Sequence, residues 1–133
     1  MPIETTIEDE GIYHQISGRT TCQDVKLAQR AGWNNPAWGD FNYIHLHFVE
    51  GATMIVTETL MMIAAAMDKA SMWRSHPLLV AFSIEERAVT DTIRPYLDKL
   101  AMVEGVTINV FGDTESARSW ITDTVNSFTP RPA

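Results

Sequence analysis

Residues 78–82 read Leu-Leu-Val-Ala-Phe, five apolar side chains in a row. A strand of that kind offers water neither of its faces, so it belongs inside a sheet covered above and below. Such strands are typical of mostly parallel sheets, and Pro77 to Ile84 is therefore predicted to be central. Any fold assigned to the chain must enclose this segment.

The flanking pattern extends that reading. Ile3 to Ile7 and Ile12 to Ile16 are short β-prone segments separated by Glu8-Asp9-Glu10-Gly11, a hairpin signal. Phe41 to Val49 alternates, with Ile44, Leu46 and Phe48 on one face and Tyr43, His45 and His47 on the other. Val106 to Phe111 is the last predicted strand. Between strands, apolar residues recur at helical spacing. Thr20 with Gln23 matches a capping box before Val25, Leu27, Ala28 and Ala31, and Gly32 stops that helix. A second helix is expected from Thr53 or Thr57 to about Met72, with Leu60, Ile63, Ala64 and Met67 inward. A third spans about Asp91 to Val103, with Pro95 early in it. Asp113 caps a fourth, which turns Ala117, Trp120, Ile121 and Val125 inward. The expected order is ββαβαβαβα: one mixed, mostly parallel five-stranded sheet with four helices in an α/β domain over residues 1–126. Residues 127–133, with Pro130 and Pro132, read as a flexible tail.

Composition narrows the partners. The chain has 133 residues and a formal net charge of −7, with its ten Lys and Arg scattered. An acidic surface without a basic patch argues against nucleic acid. The longest apolar run, Leu60 to Met67, is far shorter than the roughly 20 residues that cross a bilayer. The N-terminal residues lack the pattern of a secretory signal. One cysteine, Cys22, cannot form an internal disulfide, which suits a reducing compartment. The expected setting is the cytoplasm.

Two stretches carry a family resemblance. One is Ile16-Ser17-Gly18-Arg19-Thr20-Thr21, leading out of the second strand. The other is Val110-Phe111-Gly112-Asp113-Thr114-Glu115-Ser116-Ala117-Arg118-Ser119-Trp120-Ile121, a strand ending in Phe, an acidic cap, then Ala and Trp three residues apart. With the element order, these resemble the SpoIIAA-like branch of the STAS superfamily over about residues 3 to 125. The resemblance implies a SpoIIAA/STAS-like fold and two functional expectations. STAS antagonists carry a phosphorylatable serine where the third strand turns into the second helix. Here that turn reads Val49-Glu50-Gly51-Ala52-Thr53-Met54, without serine, leaving Thr53 as a substitute acceptor. The branch also resembles the CRAL-TRIO lipid-transfer fold, which implies an apolar pocket or peripheral membrane contact.

Chemistry-bearing residues are few. His45 and His47 share a strand face roughly 7 Å apart, a spacing at which two imidazoles can share a metal or simply bond to neighbours. A third ligand would have to come from His14 or Glu50. Cys22, near a predicted helix start, is either a reactive thiol or a small buried residue. Met61 and Met62 cannot both face the sheet, so one is free for a ligand or partner helix. Trp33 and Trp38 flank a loop and either close over a pocket or pack on the first helix. No Gly-x-Ser-x-Gly, P-loop or Gly-x-Gly-x-x-Gly occurs.

These readings predict no catalytic residues, metal or cofactor. The leading expectation is a non-enzymatic binding or regulatory domain, dimeric, holding a small amphipathic or lipid-like ligand against Tyr43, His45, His47, Trp33, Trp38, Met61 and Met62. The alternative is a partner-switching interaction module binding a regulatory protein through residues 51–57, with Thr53 and Thr57 as phosphosites. A His-dependent metal enzyme is the third.

Overall fold

The computed structural model describes residues 3–20, 24, 27, 28, 30, 35, 36, 40–54, 78–85, 94, 97 and 106–128. Five strands form one mixed sheet: β1 (Ile3–Ile7), β2 (Gly11–Ile16), β4 (Tyr43–Phe48), β6 (Leu78–Ile84) and β7 (Val106–Phe111), in the spatial order β1-β2-β4-β6-β7. β1 runs antiparallel to β2, and every later neighbour is parallel. The mostly parallel sheet after an opening hairpin is as the sequence predicts.

The hairpin is tight because Asp9 and Glu10 alone separate the bonded pair Glu8 and Gly11, whose N–H···O distance is 2.8 Å. Gly11 is needed for closeness. A Cβ there would stand 2.5 Å from the Tyr43 carbonyl oxygen and 2.6 Å from its ring. β6 lies inside the sheet between β4 and the edge strand β7, one place off the centre, and all seven of its residues are buried, as its unbroken apolar run predicts. Its register sets the two faces of the sheet. Ile44, Leu46 and Phe48 stand beside Val80, Phe82 and Ile84, and join Ile16, Ala52, Leu78 and Val106 in the larger core. Leu97 packs against that cluster from the connection before β7.

The opposite face is covered by α1 (Thr114–Phe128). Its start follows from Asp113, whose carboxylate accepts the Ser116 N–H (2.6 Å) and hydroxyl (3.0 Å), satisfying a first-turn donor. One helical stripe, Ala117, Ile121 and Val125, then packs on Tyr43, Leu79 and Ala81, with Phe111 and Trp120 at its margin.

The expectation of four helices is corrected. Among the described residues the structure has one helix, α1, at the C-terminal end. Residues 24, 27, 28, 30, 94 and 97 are individually helical, and the rest of the three earlier helices falls outside the described residues. Thr53, one of the two expected starts of the second helix, and Met54 are extended as β5 and pair in parallel with β3 (Arg19–Thr20), while Thr57, the other start, lies outside the described residues. The cause is local. Gly51, at φ +84°, sits in a turn that bonds the Ala52 N–H to the Val49 carbonyl (3.1 Å). The β-branched Thr53 leaves that turn extended, so its backbone groups enter a ladder instead of a first helical turn.

At the outer margin of β7, the Asn109 side-chain carbonyl accepts the N–H of Val110 (2.9 Å).

Candidate functional site

Register brings a band of polar side chains together beneath α1. Tyr13 lies beside His45 across β2 and β4, and His47 beside Ser83 across β4 and β6. The alternation that separated Tyr43, His45 and His47 from the aliphatic face is confirmed, and α1 makes that face an interior one.

Two clusters occupy it. In the first, Arg118 of α1 forks onto Glu8, both N–H···O distances being 2.9 Å, and the Tyr43 hydroxyl donates to the same carboxylate. The guanidinium also lies 5.0 Å from the Tyr13 ring centre, over its face. Burial alone would raise the Glu8 pKa. The Arg118 and Tyr43 hydrogen bonds, with the charge of Arg118, outweigh it and hold the carboxyl below its usual range. Burial, followed by Glu8, pushes the Tyr43 hydroxyl well above its ordinary value, so it stays a donor.

The second cluster is built on His47. Its Nε2–H donates to the Glu85 carboxylate (2.7 Å), and the Tyr13 hydroxyl donates to its Nδ1 (2.7 Å). The Thr114 hydroxyl, in the first turn of α1, is 3.3 Å from Nε2. Burial raises the Tyr13 pKa, keeping that phenol protonated. His47 has 12% of its side chain exposed and Glu85 44%, so this cluster opens to solvent at the carboxyl ends of β4 and β6.

His45 differs. It is fully buried, pairs through Nε2 with the Ser83 hydroxyl (2.6 Å), and its Nδ1 has no partner among the described residues. An orphaned acceptor costs less than an orphaned donor, which puts the proton on Nε2. Burial, then the charges of Arg118 and His47, lowers its pKa to about 4, so it is neutral near pH 7.

This geometry bears on each sequence-derived site residue. Tyr43, His45 and His47 are brought together, the two imidazoles stacked 6.4 Å apart. His14, considered as a third metal ligand, instead lies in register between Ile12 and Ile16 on the opposite face, bonded to Thr5 (2.9 Å). Glu50 is exposed in the turn after β4. No three of His, Cys, Asp and Glu converge on a metal position among the described residues. Thr53 is extended rather than at a helix start. Trp33, Trp38, Thr57, Met61, Met62 and Cys22 lie outside the described residues.

Six participants were not singled out from the sequence: Glu8, Tyr13, Ser83, Glu85, Thr114 and Arg118. One had a readable signal. Ser83 is the polar residue of an otherwise apolar buried strand, and a buried hydroxyl needs a partner.

Within the described residues no helix is long and apolar enough to cross a membrane. No family model, curated protein or solved structure matches the chain.

Proposed function

We propose that this is a non-enzymatic binding domain of regulatory type, a homodimer that takes a small amphipathic, lipid-like ligand across the carboxyl end of its parallel strands. The observation that carries the reading is one cross-strand row. Gln15, His47, Ser83 and Phe111 stand side by side on the α1 side of the sheet, and Phe111 meets Trp120 at 5.7 Å. The row is polar and open at Gln15, His47 and the nearby Glu85. It is aromatic and half-buried at Phe111 and Trp120. Ligands of open α/β sheets characteristically sit outside the carboxyl ends of the strands, and a molecule with a polar head and an apolar tail matches this gradient.

The state of the polar groups supports the non-enzymatic part. Ser83, the hydroxyl beside His45, is sealed from solvent, and Tyr13 and Tyr43 are held protonated. Among the described residues, the Thr114 hydroxyl meets His47 at the nitrogen that already donates to Glu85, which leaves no lone pair there to take its proton. An open depression along α1 is lined by Thr114, Glu115, Arg118, Ser119, Thr122 and Asp123, all of them polar or charged residues. The setting that the single cysteine suits is the cytoplasm, and the sequence resemblance at residues 16–21 and 110–121 supports membership of the SpoIIAA-like branch.

Native mass spectrometry of the purified protein, with thermal shifts against fatty acids and lysophospholipids, tests it. A bound amphiphile, or an upward shift reduced in His47→Ala and Trp120→Ala, is expected. An empty protein with no shift across the panel overturns it.

A further inference from the structure

The homodimer in that reading leaves its interface unspecified, and the hydrogen-bond pattern of β1 supplies one. Glu8 and Gly11 form a bonded pair, and antiparallel pairs alternate between bonded and non-bonded. Counting back in register, Thr6 with Tyr13 and Glu4 with Gln15 are also bonded pairs. The N–H and C=O groups of Ile3, Thr5 and Ile7 therefore point away from β2. An independent bond agrees: Ile16, opposite Ile3, directs its carbonyl to the Val49 N–H on the β4 side (3.0 Å).

We infer that β1 pairs antiparallel with β1 of a second copy of this chain, about a two-fold axis at Thr5. Only a register centred there sets all three outward-facing residues against their counterparts. Ile3 pairs with Ile7 of the partner subunit, Thr5 with Thr5 of the partner subunit, and Ile7 with Ile3 of the partner subunit, about six backbone hydrogen bonds in all. The side chains fit the same register. Ile7 is one of two exposed large apolar side chains among the described residues, at 44%, and pairing lays it beside an isoleucine on the face of the larger core. Glu4 comes opposite Thr6 of the partner subunit, so no like charges stand directly across the seam. A short strand pair buries less than a standard interface. Each copy also carries a net charge of −7, so the association is weak and tightens with salt.

Sedimentation velocity from roughly 10 μM to 1 mM, the range of a small interface, tests the inference together with amide exchange by NMR. Wild-type protein shifts from monomer to dimer with concentration, and the Ile3, Thr5 and Ile7 amides gain protection while Glu4 and Thr6 do not change. Ile7→Lys, which places a charge on an exposed edge position, weakens the dimer at least tenfold without changing the melting temperature of the dilute monomer. Should Ile7→Lys itself fail to fold, the amide pattern of the wild type decides. A dimer that Ile7→Lys leaves intact, or whose protected amides lie elsewhere, overturns the edge pairing and spares the homodimer. Monomer at every concentration overturns both.

Discussion

The two faces of the sheet solve the same problem with different chemistry. On one, Ile16, Ile44, Leu46, Phe48, Val80, Phe82 and Ile84 exclude water by apolar contact, with a part-buried polar pair, His14 and Thr5, beside them. On the other, α1 buries a narrow stripe of Ala117, Ile121 and Val125, while its first turns are tied down by Arg118 on Glu8 and Thr114 near His47. Apolar contact is tolerant in direction and expensive to remove. Polar contact is specific in geometry, sensitive to pH, and weak where it meets solvent. The difference suggests a fixed side and an adjustable side.

Substitutions can break that contrast, beginning with the largest effect. Phe82→Ala removes a fully buried ring stacked 6.4 Å from Phe48, and should cost about 3–5 kcal/mol in chemical denaturation. A comparable loss from Ala117→Gly under α1 would erase the distinction between the faces.

Acid should come next. His14 and His45 both have folded pKa values pushed down to about 4 from 6.5, His14 by burial alone. Between those values the unfolded chain binds more protons, so stability is intact above about pH 6.5 and falls as pH drops toward 4. Each histidine contributes on the order of 3 kcal/mol to the full loss. Glu8, with its lowered pKa, adds to the loss below its unfolded value of 4.5. Melts of His14→Gln and His45→Gln should each flatten part of the pH profile. An unchanged profile in both would mean neither residue is buried as described.

Ser83→Ala is expected to be milder. It strips His45 of its one hydrogen bond inside the sheet and should cost roughly 1–3 kcal/mol. Ser83→Thr, which keeps the hydroxyl, sharpens the test by separating the lost bond from altered packing.

The smallest effect belongs to Arg118→Met. The Arg118 side chain is 42% exposed, and a screened pair of that kind is worth about 1 kcal/mol or less. Salt titration of the wild type should weaken this contact while leaving the aliphatic face untouched.

Which parts were legible in the sequence follows from the range of the interactions. The unbroken Leu78–Phe82 run, the alternation at 43–48 and the Asp113 cap are local signals, and each element appears where they put it. The four-helix expectation failed where periodicity had to decide between states at a junction, as at Thr53. A two-residue ladder spans one strand period, too short for alternation to repeat. The polar site was half legible. Facing of Tyr43, His45 and His47 comes from one strand, but Glu8 and Arg118 are 110 residues apart and meet only once strand order and helix placement are fixed.

The Asn109 side chain at the far margin of β7 carries a last implication. By occupying the Val110 N–H it breaks the row of donors that another strand would need there. A molecule able to join at one border alone is capped after a single addition, since a symmetric pair consumes both available borders. If β1 pairs as proposed, growth into an open-ended fibril lacks a second attachment point on the described five-stranded sheet.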